Sequence, residues 1–307
     1  MSDGQRPDST GPIAPSDLVV AATLPLLAIV ARVLPESRWR PVVSFLASWK
    51  PLLGETQRSQ LDRIARGLGL ETEAARRVLD GFRLAHLEER LQVLKERSSS
   101  GWHPSIEVEG EEHLRDARAP GRGAVLWVVN AAIAGLVVKK ALHARGYSVH
   151  HLSRPSHGLS STRFGIRWLN PMRTRVEERY VAERVVITEA STVPAMRRLR
   201  SALERGETVS ITAGDWARRT HWAPFLDGRV RLATGPAALA ASTGATLLPV
   251  SMTRDQHRFT VTIEEALPLA GEAGVPAAIE AYARRLEAWV RVHPELWNGW
   301  SSYEPGA

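Results

Sequence analysis

The apolar run Ala124–Val129 (AVLWVV) constrains this chain more than any other segment. It has no polar interruption, so one face cannot be left to solvent as in a half-buried alternating strand. Such a run belongs in a sheet covered on both faces. The segments around it agree. Ile106–Glu109 alternates, and Tyr147–Leu152, Val185–Thr188, 207–212, 245–252 and 258–264 read as strands. Between them 132–145, 193–205, 235–243 and 276–292 read as helices, the last with Ile279, Tyr282, Leu286 and Val290 on one face. Strands alternating with helices predict an α/β fold, a mixed central sheet flanked by helices. No internal repeat is present.

Ahead of Gly101 the rhythm is purely helical. Residues 1–16 are rich in Pro, Gly, Ser and Asp and read as a flexible tail. Residues 17–100 form an N-terminal helical region, and 101–307 the α/β domain. The uncharged stretch 18–31 (LVVAATLPLLAIVA) lies between Asp17 and Arg32. It is short of the roughly 20 residues a membrane span needs, and Pro25 interrupts it. An interfacial or re-entrant helix docked on one leaflet is the expectation, with Trp39 and Trp49 downstream as surface anchors; the alternative is a buried core helix. No basic region precedes the stretch, which argues against a secretory signal. From Thr56 to Arg97 the pattern is helical: Leu84, Leu87, Leu91 and Leu94 step by three and four and read as core packing. Ser98–Gly101 ends it.

The chain has no cysteine, which excludes a disulfide framework, thiolate metal sites and a cysteine nucleophile. Its formal net charge is +7, carried almost wholly by arginine, since the lysines are only Lys50, Lys95, Lys139 and Lys140. A basic surface of this kind suits anionic lipid headgroups or an acidic carrier protein. No nucleic-acid-binding module accompanies it, so nucleic acid is not expected as a partner. There is no P-loop, no GxGxxG after a strand, no GxSxG and no HExxH. His150 and His151, adjacent on a strand, point to opposite faces and make a poor ligand pair.

Several local signatures occur in order. Residues 106–114 (IEVEGEEHL) precede the AVLWVV strand. Ser153-Arg154-Pro155 follows the next strand, and Leu203–Asp215 reads LERGETVSITAGD. Then come Pro224-Phe225-Leu226-Asp227-Gly228, Ala233-Thr234-Gly235-Pro236, Gly244-Ala245 with Pro249-Val250 and Arg254, and finally Pro294-Glu295-Leu296-Trp297. This series resembles the bacterial lipid A (lauroyl/myristoyl-type) acyltransferases of the lysophospholipid acyltransferase superfamily, over about residues 18–300. The resemblance implies a glycerolipid-acyltransferase-like fold. It also implies an acyl-ACP or acyl-CoA donor, a lipid or glycolipid acceptor, a membrane surface and no cofactor. The expected place is the cytoplasmic face of the inner membrane, peripheral or monotopic.

The chain departs from the family where the chemistry is concentrated. The family's HX4(D/E) motif supplies a histidine that deprotonates the acceptor hydroxyl and an acid that orients it. Here those positions hold Asn130 and Gly135, and the amide of asparagine cannot accept a proton near neutral pH. The family's closing segment is also altered, to Trp297-Asn298-Gly299-Trp300. Arg154 and Asp215 stand where the resemblance places an arginine and a motif acid. As a pair they would hold a phosphate-bearing or thioester donor, or else staple two loops. The candidate catalytic residues are Asn130, Asp215, and the loop histidines His157 and His221 as replacement bases. The candidate substrate-binding residues are Arg154, Thr234 and Gly235 at a helix start, and Arg254. Thr234 serves equally well as an ordinary helix cap, and Arg218, Arg219, Arg229 and Arg231 read as a solvated or lipid-facing rim. Two readings remain open: an acyltransferase with a rearranged catalytic set, and a catalytically inactive homologue that binds lipid or acyl groups or acts as a scaffold.

Overall fold

The computed structural model describes residues 11–48, 55–118, 121–188, 190–269 and 274–306. Ala124–Val128 is strand β2, buried at every position, as its unbroken apolar sequence requires. Around it the main sheet has the order β1-β9-β8-β2-β5-β3-β4. Its strands are β1 (Ser105–Glu109), β3 (Val149–Ser153), β4 (Glu183–Val186), β5 (Thr208–Thr212), β8 (Thr246–Asp255) and β9 (Arg258–Ile263). Strands β8, β2, β5, β3 and β4 are mutually parallel. The hairpin β8–β9 turns back, and β1 runs parallel to β9, so the sheet is mixed.

The helices around the sheet are α5 (Glu111–Arg118), α6 (Ala134–Ala144), α7 (Pro171–Glu177), α8 (Thr192–Glu204), α9 (Gly235–Thr243) and α10 (Gly274–Val292). On α10, Ile279, Tyr282, Leu286 and Val290 are buried, and Tyr282 stacks on Trp127 of β2 with ring centroids 3.9 Å apart. A second, antiparallel sheet was not anticipated. It joins β6 (Thr220–Phe225), β7 (Gly228–Ala233) and β10 (Tyr303–Glu304). Val230 and Leu232 point inward while Arg229 and Arg231 flank the ring of Trp222, so the arginine-rich stretch is a strand with one charged face.

Four helices precede the sheet: α1 (Pro15–Val33), α2 (Trp39–Ser48), α3 (Glu55–Leu68) and α4 (Thr72–Arg97). Three details correct the sequence expectation. Helix α1 runs straight through Pro25; Leu24 and Leu27 on either side of it are buried as α1 packs on α4, which offsets the lost backbone hydrogen bond. The stretch 56–97 is two helices, because Gly69 adopts φ +62° and caps α3 in a left-handed turn, with Leu70 N donating to Ala65 O at 2.8 Å. Trp39 is buried, its Nε1 donating to Leu34 O at 3.1 Å, so it cannot anchor to a surface; Trp49 lies outside the described residues.

The start of α1 is fixed to the body of the protein. Asp17 is buried and accepts hydrogen bonds from Ala14 N (2.8 Å) and Thr162 Oγ1 (2.6 Å), while Arg163 N and Phe164 N donate to the carbonyls of Gly11 and Pro12. The expected tail is therefore tied down from Gly11, and residues 1–10 lie outside the described residues. Buried apolar side chains from α1 through β10 form one continuous core.

Candidate functional site

Parallel strands present their carboxyl ends on one edge, and open α/β sheets bind ligands there. The turn after β2 carries Asn130, the loop after β5 carries Asp215 and the turn after β3 begins with Arg154. Since β2, β5 and β3 are adjacent, these three residues share one edge.

Asn130 is engaged by the altered C-terminal segment. Its carbonyl accepts from Asn298 N at 2.8 Å, and its side-chain oxygen lies 3.4 Å from Asn298 Nδ2. Ala131 bridges to Trp297, and Ala132 N donates to Leu296 O at 2.9 Å. The two segments that depart from the family pattern are thus one structural unit. The turn ends at Ile133, a β-branched residue held at φ +61°, a conformation such residues rarely adopt.

Gly135, where the resemblance places an acid, faces a cluster of buried charges. A Cβ there would lie 3.4 Å from Arg173 Nη2 and 3.6 Å from Glu177 Oε1. Arg173 and Glu177, one turn apart on α7, fill that space. Arg173 pairs with Glu177 (2.7 Å) and with Glu89 of α4 (2.9 Å), and Glu177 also pairs with Lys139 of α6 and with His157 Nε2 (3.0 Å). Glu89 closes the cluster by accepting from Ile133 N at 2.8 Å.

Burial alone would raise the Glu89 carboxyl, but Arg173, His86 and the Ile133 amide outweigh it and hold it down at about 2. Glu177 likewise falls well below the carboxylate range, its burial outweighed by Lys139, His157 and Arg173. Burial lowers Lys139 despite its carboxylate partner. Burial also lowers His157, against the pull of Glu177. His151 is pushed far down by burial and bonds Ser210 Oγ at 2.9 Å, whereas its neighbour His150 faces Glu183.

The remaining sequence candidates disperse. Asp215 is held by Arg231 through two contacts of 2.7 and 3.2 Å, while the Arg154 guanidinium lies over the ring of Trp216, 4.7 Å from its centroid. His221, at the start of β6, approaches Glu280 of α10 at 3.6 Å. Neither His157 nor His221 hydrogen-bonds Asn130. Thr234 does not cap α9 with its side chain; its Oγ1 donates to Arg219 O at 3.3 Å instead. A Cβ on Gly235 would meet open space. Arg254 pairs with Glu88 and so fastens α4 to β8.

Sequence reasoning missed the cavity itself. A partly open cavity of about 220 Å³ lies among Leu24 of α1, His86, Glu89, Arg90, Val93 and Leu94 of α4, Gly158, Leu159, Met172, Arg173 and Asn298. Its wall is apolar toward α1 and charged toward the β2 turn. Arg90 is largely withdrawn from water, which lowers its affinity for a proton, yet it hydrogen-bonds no described residue. The Oδ1 of Asn298 is buried and has no hydrogen-bond partner among the described residues. Buried polar groups without partners are uncommon and mark places where a ligand or water completes the set. The loop 155–160 that closes one side is held by buried Asn170, which accepts from Leu159 N and Ser160 N and donates to Pro155 O and Ser160 O.

A family model described as bacterial lipid A biosynthesis acyltransferase matches residues 15–300. A search among curated proteins finds no match.

Two measurements test the buried cluster. Arg173→Leu strips both Glu89 and Glu177 of their shared cation, and urea unfolding should show a loss of about 3–5 kcal/mol. The folded-state value of Glu89 lies below its ordinary 4.5, so the stability it contributes is present above pH 4.5 and is lost as pH falls toward 2. Glu89→Gln should flatten the stability-versus-pH curve across that window; an unchanged acid limb would remove the cluster's role.

Proposed function

This chain belongs to the bacterial lipid A biosynthesis acyltransferase family, and from that premise we propose that it moves a fatty acyl group from acyl carrier protein or CoA onto a lipid or glycolipid hydroxyl. The carrying observation is the cavity beneath α1. One wall is apolar, suited to a chain, and the opposite wall offers the Arg90 guanidinium and the unpartnered amide oxygen of Asn298 to a polar headgroup. In this reading Arg90 takes an anionic group of the substrate. Asn130 and Asn298 fix the acceptor by hydrogen bonding rather than by proton transfer. Arg154, Asp215 and the start of α9 at Thr234 and Gly235 form the rim at which the carrier approaches.

The membrane side follows from α1. Its inner face (Val20, Leu24, Leu27, Ala31) is buried, and its outer face exposes Leu18, Val19, Leu26, Ile29 and Val33. The helix is 19 residues long with a mean hydropathy of 1.8, enough to cross a membrane by length and composition. With one face committed to α4, we read it as lying in the interface, where its exposed face meets acyl chains. Trp168, exposed on the segment that contacts α1, extends the same surface, and Arg167 lies beside its ring. The cytoplasmic leaflet of the inner membrane is the proposed surface. Leu24 lines the cavity from the inner face of this helix, so the cavity lies directly beneath the element read as docking on the membrane.

A second reading, a catalytically silent protein that binds acyl groups or lipids, draws on Asn130 and on the filled space at Gly135. Labelled acyl-CoA and acyl carrier protein incubated with lysolipid and lipid A precursor acceptors separate the two. Transfer above background supports the enzyme, whereas bound donor without transfer supports the silent protein. Given transfer, Arg90→Gln should raise KM about tenfold or more for a phosphate-bearing substrate, as a charge-assisted hydrogen bond is lost. Leu26→Glu with Ile29→Glu should weaken binding to anionic vesicles at least about tenfold in flotation assays while leaving the thermal midpoint in place. Unchanged flotation would count against α1 as the docking element.

A further inference from the structure

The cavity wall contains one imidazole that the sequence comparison does not single out. His86 lies one helical turn before Glu89 on α4, with Nδ1 3.4 Å from Glu89 Oε2. Its ring stands edge-on to Phe82 at a centroid distance of 4.5 Å, so two contacts fix its plane. The Glu89 carboxylate is immobile for independent reasons, since its other oxygen takes the Ile133 amide and Arg173. With Nδ1 turned to the carboxylate, Nε2 is the free ring nitrogen, without a hydrogen-bond partner among the described residues. The side chain is about one-third exposed, and it lines the cavity together with Arg90 and Asn298.

We propose that His86 Nε2 is the general base of acyl transfer and Glu89 the positioning residue that holds its tautomer. This rests on the acyltransferase reading above. The acceptor hydroxyl gives its proton to Nε2 while its oxygen attacks the thioester carbonyl carbon. The tetrahedral intermediate collapses with cleavage of the carbon–sulfur bond, and the departing thiolate takes the proton back from the imidazolium. The ester and the free thiol are the only products, and no further reactant is needed. Glu89 ties the dyad, which sits on α4, to the turn after β2 where the resemblance places the family's motif. Glu89 bonds the residue three positions after Asn130, and Asn298 links that turn to the cavity. His157 is the weaker base, because its Nε2 is committed to a carboxylate already shared with Lys139 and Arg173 and its side chain does not line the cavity.

The test uses the full chain with vesicles, radiolabelled acyl-CoA or acyl carrier protein, and the acceptor that the wild type uses best. His86→Gln and His86→Ala should each lower kcat about 10²-fold or more, with donor KM and thermal midpoint close to wild type. Glu89→Gln should lower kcat at unchanged KM, and Glu89→Asp should recover part of it. His157→Ala should retain most turnover. Full turnover in His86→Gln, or an effect of Glu89→Gln on KM alone, would overturn the dyad while leaving the acyltransferase reading intact. A wild type that transfers to none of these acceptors overturns both. Because His86 is partly exposed and Gln approximates its polarity, its variants remain informative even if Glu89→Gln fails to fold.

Discussion

The Glu89–Arg173 ion pair is the contact on which the site depends. It reaches from α4 in the helical region to α7 over the sheet edge, and Glu89 carries it on to the backbone of the β2 turn. Two carboxylates (Glu89, Glu177) and two cations (Lys139, Arg173) sit in the cluster, so it is balanced, and each carboxylate oxygen has a partner to offset its desolvation. Buried pairs of this kind add little net stability over apolar packing, but removing one member leaves a charge stranded. Their use here is positional. Helices α4, α6 and α7 and the turn after β2 cannot shift independently without exposing a charge to a poor partner. Arg254–Glu88 and the Lys140–Glu96–Tyr180 cluster repeat the device on either side of it, tying α4 to β8 and to α6.

This clamp explains why the two departures from the family pattern belong together. An acid at position 135 would enter the space held by Arg173 and Glu177, and two carboxylates already occupy the cluster. At the other end of the turn, Asn130 and Asn298 meet through backbone and side chain, so a change at one end alters what the other must bond. The turn is held in a strained form at Ile133, whose amide donates to Glu89.

How far the site could be read in the sequence depended on how local its determinants are. The AVLWVV run fixed the central strand because its burial is written in consecutive residues, and Asn130, Arg154 and Asp215 followed as residues just beyond strand ends. The β6–β7 hairpin was less visible. Its alternation in RVRLA was legible, but arginine on every second position reads equally as a charged loop, and Leu226 at the turn has positive φ where glycine or asparagine is the usual signal. The cavity was least visible, since its polar residues come from α4, α7 and the C-terminal segment. One signal was available. Glu88, Glu89, Gln92 and Glu96 fall among Leu84, Leu87, Leu91 and Leu94 at helical spacing, and all four are buried. Carboxylates on the leucine-bearing side of a helix require partners from elsewhere in the fold, and Arg173, Arg254 and Lys140 are those partners.

The placement of an imidazole on α4 also bears on how such a site works with a lipid. A base at the end of β2 would face the sheet edge, reached through loops. His86 instead sits on a rigid 26-residue helix whose neighbour α1 has an apolar outer face. The same helix therefore lines the cavity, packs against α1 and anchors the ion cluster. Helix α4 thus joins α1, which packs on it, to the Glu89 carboxylate, and is itself pinned by Arg173 and Arg254. In the proposed reading, a helix of this kind supports the imidazole more firmly than a loop would. Glu89 is the residue of α4 that reaches the β2 turn, through the Ile133 amide, and His86 and Arg90 line the cavity beside it.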